Sequence, residues 1–180
     1  MSKRVLCLLA DGFEEIEAIT PVDLLRRAGA DVVMVALGDS IHVTGRSGIV
    51  IHADACLSAI DSSHFDLLLI PGGPAIKVMR SDGRPATLAR SFSEVGKPVA
   101  AICAAPLILH DAGLLVGKRH TAHDSTYAEL TQADPSIKVI MDGQITTSRG
   151  AGTALDFGLQ LITQLFGPEE AEKVAQSIMA

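Results

Sequence analysis

Cys103 stands where an unbroken apolar run meets a proline, in Pro98-Val-Ala-Ala-Ile-Cys103-Ala-Ala-Pro106-Leu-Ile-Leu109. The run before it fits a strand covered on both faces of a parallel sheet. Pro106 suits the first turn of a helix, where its missing N–H costs little. A thiol between the two would lie beside unpaired amide hydrogens and the positive end of the helix, both of which favour thiolate. Strand–turn–helix junctions present nucleophiles in this way on α/β sheets. A cysteine in an apolar run is equally an ordinary small core residue, so its partners decide the matter. Glu14, Glu15 and Glu17 follow the first apolar segment of the chain. A carboxyl directed at Cys103 would share a dry site with a second acid, keep its proton and donate a hydrogen bond to sulfur. The other two read as acids of a helix N-terminus facing water, and spacing does not select which of the three turns inward. His123, in a turn, could act as a general acid or base near neutral pH, or be a surface histidine. Gly73, in the double-glycine turn Pro71-Gly72-Gly73-Pro74, and Ala104 could offer backbone N–H groups to a developing oxyanion.

Other chemistry is less well supported. His42, His52, His64, His110 and His120 have no metal-ligand spacing with cysteine or acid, so no zinc is expected. Gly150-x-Gly152 opens a helix but lacks the full phosphate-binding fingerprint.

For these residues to meet, strand ends must converge. Residues 3–10 read as a central first strand, 14–28 as a helix kinked or displaced at Pro21, and 31–37 as a second strand. Residues 38–54 turn to glycine and short β-branched runs, an antiparallel insertion with 42–44 beside 49–52. A helical turn at 56–60, a strand at 65–70 and a helix at 85–95 lead to the Cys103 strand and its helix to 112. A short strand at 118–122 and a brief helix at 127–130 precede a hairpin of 138–141 with 145–147 about Asp142-Gly143. Helices from 148–153 through 166 and over 168–179 close the chain. The alternation predicts one α/β domain over residues 1–180. It would be a doubly wound, mostly parallel sheet with helices on both faces and a small antiparallel insertion. Ligands in such sheets bind beyond the carboxyl ends of the strands, where Asp11 to Glu17, Gly72-Gly73, Cys103 and the loop holding His123 all fall.

Composition narrows the function. A chain of 180 residues, 48% hydrophobic, needs no staples, and no apolar run approaches the roughly 20 residues of a membrane span. The opening Met1-Ser-Lys-Arg carries no signal-peptide pattern, so a cytoplasmic protein with three reduced cysteines is expected. A net charge of -6 and 3% aromatic residues argue against a dedicated nucleic-acid groove.

Five segments, in order, carry a specific resemblance: Ala10-x-Gly12-x-Glu14-Glu15-x-Glu17, Pro21-Val-Asp-Leu-Leu-Arg-Arg-Ala-Gly29, Leu69-Ile-Pro-Gly-Gly73, Ala100-Ala-Ile-Cys-Ala104 and Thr147-Ser-Arg-Gly-x-Gly-Thr153. From residue 4 to the C-terminus the chain resembles the DJ-1/YajL branch of the DJ-1/ThiJ/PfpI superfamily. That resemblance implies a flavodoxin-like fold, a homodimer and chemistry without a cofactor. It makes Cys103 the reactive, oxidation-prone cysteine, Glu17 the protonated carboxyl bonded to it, and His123 the neighbouring histidine. Gly72 and Gly73 become the turn facing sulfur. Arg27, near the dimer interface, and Arg46 become pocket arginines for substrate or anion. The implied activity is that of a glyoxalase or deglycase, a hydro-lyase or hydrolase acting on small 2-oxoaldehydes such as methylglyoxal or their glycated adducts in carbonyl and oxidative stress. The alternative is a redox-sensing stress protein with chaperone activity toward misfolded clients, switched by oxidation of Cys103. Departures are present too. Ala151 stands where relatives often have proline, Ala105 where some have glycine, and His52 where some carry an interface cysteine. Ala104 follows the nucleophile where protease-like members have histidine, so peptidase activity is not expected.

Overall fold

The apolar residues that follow Lys3 form β1 (Arg4–Leu9), buried along all but its first residue, in the interior of a seven-stranded sheet. The computed structural model describes residues 2–180; Met1, where the N-terminal reading begins, lies outside the described residues. β2 (Asp31–Ala36) pairs with β1 in parallel, Val5 opposite Val32 and Leu8 opposite Val35. On its other side β1 meets β6 (Leu67–Ile70), with Leu6 opposite Leu68. β7 (Val99–Ile102) and β9 (Ile145–Ser148) continue that side in parallel, and the antiparallel β8 (Val139–Asp142) closes it. The two-residue β5 (Ala55–Cys56) forms the opposite edge, giving the order β5-β2-β1-β6-β7-β9-β8. β3 (His42–Thr44) and β4 (Val50–His52) make a separate antiparallel ribbon, the expected insertion.

From β1 the chain moves to one side through β2 and β5, then returns to build outward from β6 on the other. Right-handed crossovers running in opposite directions place their helices on opposite faces of the sheet. On one face α1 (Glu15–Arg27) packs on α5 (Ala154–Phe166), and α5 on α6 (Pro168–Ser177). On the other, α2 (Ala75–Asp82), α3 (Arg84–Glu94) and α4 (Pro106–Asp111) pack together. The β1/β6 reversal is the switch point beside which such sheets hold ligands.

Some local expectations are corrected. α2 was absent from the sequence reading; it fills the stretch between the double-glycine turn and α3, ending at Gly83, whose φ of 79° turns the chain directly into α3. Residues 118–122 are not a strand. Both sides of β9 are already taken by β7 and β8, and the Thr121 N–H goes instead to the Thr147 hydroxyl. The expected helix at 127–130 is only a turn over 127–129, after a 3-10 turn at Asp124–Thr126, and another 3-10 turn at Ala151–Thr153 precedes α5. Pro21 lies inside a continuous α1, where its missing N–H leaves the Glu17 carbonyl without its helical donor.

α1 is held close to α5 by a glycine. A Cβ on Gly158 would lie 2.5 Å from Leu24 Cδ1 and 3.2 Å from Pro21 Cα, so only a bare backbone fits. Gly158→Val is expected to destabilise the fold by about 1–3 kcal/mol through overpacking, read as a lower urea midpoint with unchanged slope. An unchanged midpoint would show that α1 is not positioned by this contact.

Candidate active site

β7 ends at Ile102, and the next residue carries the thiol. Cys103 adopts φ 66°, one of two positive φ values at non-glycine positions among the described residues, and such a conformation is strained for an L side chain. Two bonds hold it: its N–H donates to the Ser148 carbonyl at 2.9 Å, and its carbonyl accepts the His123 N–H at 2.9 Å. The chain then enters α4, only six residues long, at Pro106. The turn leaves Cys103 partly exposed beyond the carboxyl end of the sheet.

The first turn of α1 brings up the acids. Glu14 caps the helix, its Oε2 accepting the Glu17 N–H at 2.8 Å, and Glu15 Oε1 accepts the Ser47 N–H of the ribbon turn at 2.8 Å. Both are 9% exposed, which corrects the expectation that they face water. Glu17 is the carboxyl turned to the thiol. It is 1% exposed, and its Oε2 accepts the Gly72 N–H at 3.0 Å. Residue 72 has to be glycine, since a Cβ there would lie 2.7 Å from both Cys103 Cβ and Glu17 Oε2. With the Gly72 N–H committed to Glu17, the donors directed at sulfur are the N–H groups of Gly73 and Ala104. Gly73, at φ 93°, has no room for a side chain against the Gly12 carbonyl, 2.5 Å from where its Cβ would be.

His123 closes the group. Its Cδ2, Glu17 Oε1 and Cys103 Cβ lie 3.4, 3.7 and 4.0 Å from the point where a Cβ on Gly150 would sit, so one bare backbone position borders all three side chains. The sequence reading missed Asp124 and Ser125, which touch His123 Nδ1 from the other side at 3.0 and 2.9 Å. The polar run His123-Asp124-Ser125-Thr126 was their only signal. The arginines are placed differently. Arg46 is exposed in the ribbon turn beside Glu15, its N–H donating to the Phe13 carbonyl at 2.8 Å. Arg27 is paired with Asp23 at 2.8 Å in the last turn of α1, ten residues and about 15 Å of helix from Glu17. A single chain does not bring Arg27 to the thiol. Among the described residues no three His, Cys, Asp or Glu side chains form a metal-ligand set.

Burial pushes Glu17 up to about 7, with the Glu14 charge adding to it, against hydrogen bonds from Cys103, Gly72 and Ala151 that favour the anion. Burial also pushes the Cys103 thiol up to about 12, and the charge and hydrogen bond of an ionised Glu17 act the same way; the Gly73 and Ala104 N–H groups pull it down. Loss of solvent thus opposes the thiolate that the helix end and the amide hydrogens favour. The two raised values are coupled. Once Glu17 keeps its proton, its charge no longer opposes the thiolate and its O–H becomes a donor to sulfur.

A model of the DJ-1/PfpI family matches residues 3–164. The chain is 35% identical over 179 residues to Arabidopsis thaliana DJ-1 homolog B, covering 98% of this chain. It spans less than half the length of the Arabidopsis relatives, 41% of homolog B and 47% of homolog A. A Thermococcus kodakarensis protein named a deglycase is 34% identical over 152 residues, 83% of this chain and 91% of that one. The crystal structure of Drosophila melanogaster DJ-1beta superimposes with a TM-score of 0.95 at 35% identity, over 100% of this chain and 99% of that one.

The raised Glu17 value makes stability pH-dependent. Unfolded, the carboxyl ionises near 4.5; folded, near 7. The proton retained by the folded state stabilises fully below 4.5, and that contribution is lost as pH rises through 7. Glu17→Gln, which cannot ionise, is expected to exceed the wild type in stability at pH 8, by at most on the order of 3 kcal/mol, and to lose that advantage toward pH 4.5. Urea unfolding at both pH values checks this; a pH-independent difference would contradict it.

Proposed function

The chain belongs to the DJ-1/PfpI family, and on that premise we propose that it is a cysteine-dependent glyoxalase or deglycase acting on 2-oxoaldehydes such as methylglyoxal or their adducts. The observation that carries this reading is a buried carboxyl, held by the Gly72 N–H at 3.0 Å, that faces a partly exposed thiol across the bare backbone of Gly72. Cys103 adds to the aldehyde carbon; the C–S bond forms, and the thiol proton ends on the former aldehyde oxygen as a hemithioacetal hydroxyl. The N–H groups of Gly73 and Ala104 stabilise charge developing beside sulfur. His123 and Glu17 then move protons. The C1 hydrogen leaves as a proton, the C2 carbonyl oxygen gains one, and an enediol forms. Return of a proton to C2 and loss of the C1 hydroxyl proton give the thioester of a 2-hydroxy acid. Water cleaves that ester and restores the thiol. C1 is oxidised and C2 reduced by the same electron pair, so the only co-reactant is water.

Relatives named deglycases support the activity class. A peptidase, the activity in the name of one bacterial relative, is disfavoured by Ala104, since the nucleophile has no histidine after it. A homodimer belongs to the same reading. Ile16 and Ile19 on α1 and Ile49 and Val50 on the ribbon are exposed, and Glu15 ties the two elements together.

Steady-state conversion of methylglyoxal to lactate is expected in the wild type and lost to background in Cys103→Ala. Undiminished turnover in that variant would exclude the mechanism. The redox reading is favoured by the same donors, since Glu17, Gly73 and Ala104 could hold the oxygens of a sulfinate. Mild peroxide is expected to add two oxygens to the Cys103 peptide and to spare Cys7, which is fully buried. Mass spectrometry showing equal oxidation of all three cysteines would count against a sensor.

A further inference from the structure

Two buried hydroxyls stand behind one wall of the site. Ser148, 0% exposed, ends β9, and Thr153, 6% exposed, ends the 3-10 turn before α5. Their hydroxyl oxygens are 2.6 Å apart, and Ser148 Oγ also lies 2.9 Å from the Lys138 carbonyl. Thr153 encloses Gly150 from both directions. Its Oγ1 accepts the Gly150 N–H at 3.3 Å and lies 2.9 Å from the Gly150 carbonyl, which also accepts the Thr153 N–H at 2.8 Å. The two hydroxyl hydrogens are shared among three oxygen contacts, and in either direction of the pair the backbone of Gly150 stays enclosed.

The enclosed residue is the one whose bare backbone borders Glu17 Oε1, Cys103 Cβ and His123 Cδ2, and the N–H of its neighbour Ala151 is one of the donors to Glu17. Residues 149–152 have little of their own to fix this wall. Gly150 and Gly152 carry no side chain, Ala151 only a methyl, and the Arg149 guanidinium turns away to the Pro135 carbonyl at 2.8 Å. On the other side of the pair, the Ser148 carbonyl accepts the Cys103 N–H at 2.9 Å. One hydroxyl pair therefore connects the backbone that holds the sulfur to the backbone that meets the carboxyl.

We propose that Thr153, paired with Ser148, is a positioning residue that fixes the Gly150–Ala151 backbone against Glu17 and so keeps the carboxyl directed at the Cys103 thiol. This rests on Cys103 and Glu17 being the reacting pair of the mechanism above. The Thr153 hydroxyl bonds to neither of them, and its effect passes through the backbone. Without that hydroxyl, a wall containing two glycines is released and the buried Gly150 N–H loses its acceptor. The Ala151 N–H favours the Glu17 anion, so a released wall lets Glu17 keep its proton to higher pH. The other titratable groups bordering Glu17 are Cys103, Glu14 and His123, and all three are retained in Thr153→Val.

Alkylation of Cys103 by iodoacetamide, followed on its own peptide by mass spectrometry across pH, reads Glu17 without turnover. The wild-type profile is expected to bend near the Glu17 value of about 7, and Glu17→Gln to lack that bend. In Thr153→Val the bend should move to higher pH, and in Thr153→Ser, which keeps the hydroxyl, it should return. With methylglyoxal, Thr153→Val should lower kcat at unchanged KM, by up to the roughly 100-fold that a misplacement of about 1 Å can cost, and Thr153→Ser should recover it. Ser148→Ala removes the other hydroxyl and keeps the backbone; it is expected to move the bend in the same direction, and it decides the matter if Thr153→Val does not fold. A bend that stays in place in Thr153→Val or in Ser148→Ala would overturn the positioning role. So would a loss in Thr153→Val that falls on KM or that serine does not recover. A bend that moves as expected in a protein that consumes no methylglyoxal would uphold the positioning role and sink the functional reading instead.

Discussion

Glu17 and Cys103 are two acids in one desolvated space, and the site is built around the fact that both cannot ionise there. An unpaired buried charge is costly: burial raises the resistance of both groups to losing a proton, and an ionised Glu17 raises that of Cys103 further. The least costly arrangement at neutral pH leaves one negative charge at most, and its position decides the reactivity. With the charge on the carboxyl, sulfur is an inert thiol; with the proton on the carboxyl, the same O–H supports a thiolate. Reaching the reactive state requires only movement of a proton between neighbouring atoms.

That arrangement makes demands on distant packing. The carboxyl and the sulfur come from opposite sides of the β1/β6 switch point and meet because residue 72 has no side chain to part them. The carboxyl arrives at the right depth because α1 lies against α5 at Gly158, one turn beyond Glu17. The sulfur points outward because Cys103 holds a left-handed conformation that costs about 1–3 kcal/mol for a residue with a Cβ. Its backbone bonds to Ser148, the last residue of the neighbouring strand β9, and to His123 oppose relaxation. Conformational strain at the nucleophile is thus maintained by the sheet itself.

How much of this could be read from the sequence depended on whether the information was local. Cys103 was legible because an apolar run ending at Cys-Ala-Ala-Pro states a strand, a turn and a helix within a dozen residues. The doubly wound sheet followed from the same alternation, and the ribbon from its β-branched runs. Glu17 was not separable from Glu14 and Glu15 by spacing, because its distinction lies in the Gly72 N–H, 55 positions away. The spacing argument also failed for those two neighbours, which are buried through a cap and a ribbon turn. α2 was hidden because the ten residues between the Gly72-Gly73-Pro74 turn and Pro85 are too few to show a helical period. The balance at the thiol was not legible, because a sequence gives the direction of a helix dipole but not the depth of burial opposing it. Arg27 and Arg46 were named from the resemblance alone, and only Arg46 lies beside the start of α1 in a single chain.

Glu14 shows how a structural device and a chemical one can be the same atoms. Its carboxylate accepts the Glu17 N–H and so satisfies one of the orphan donors at the start of α1. Its charge also lies close enough to raise the value of the very residue whose amide it caps. A neutral cap such as serine or asparagine would begin the helix as well, since capping needs only an acceptor. It would not supply the repulsion that keeps the Glu17 proton in place. The acid at position 14 therefore couples helix initiation to the protonation of the site, through one side chain that caps the Glu17 amide and repels the Glu17 charge.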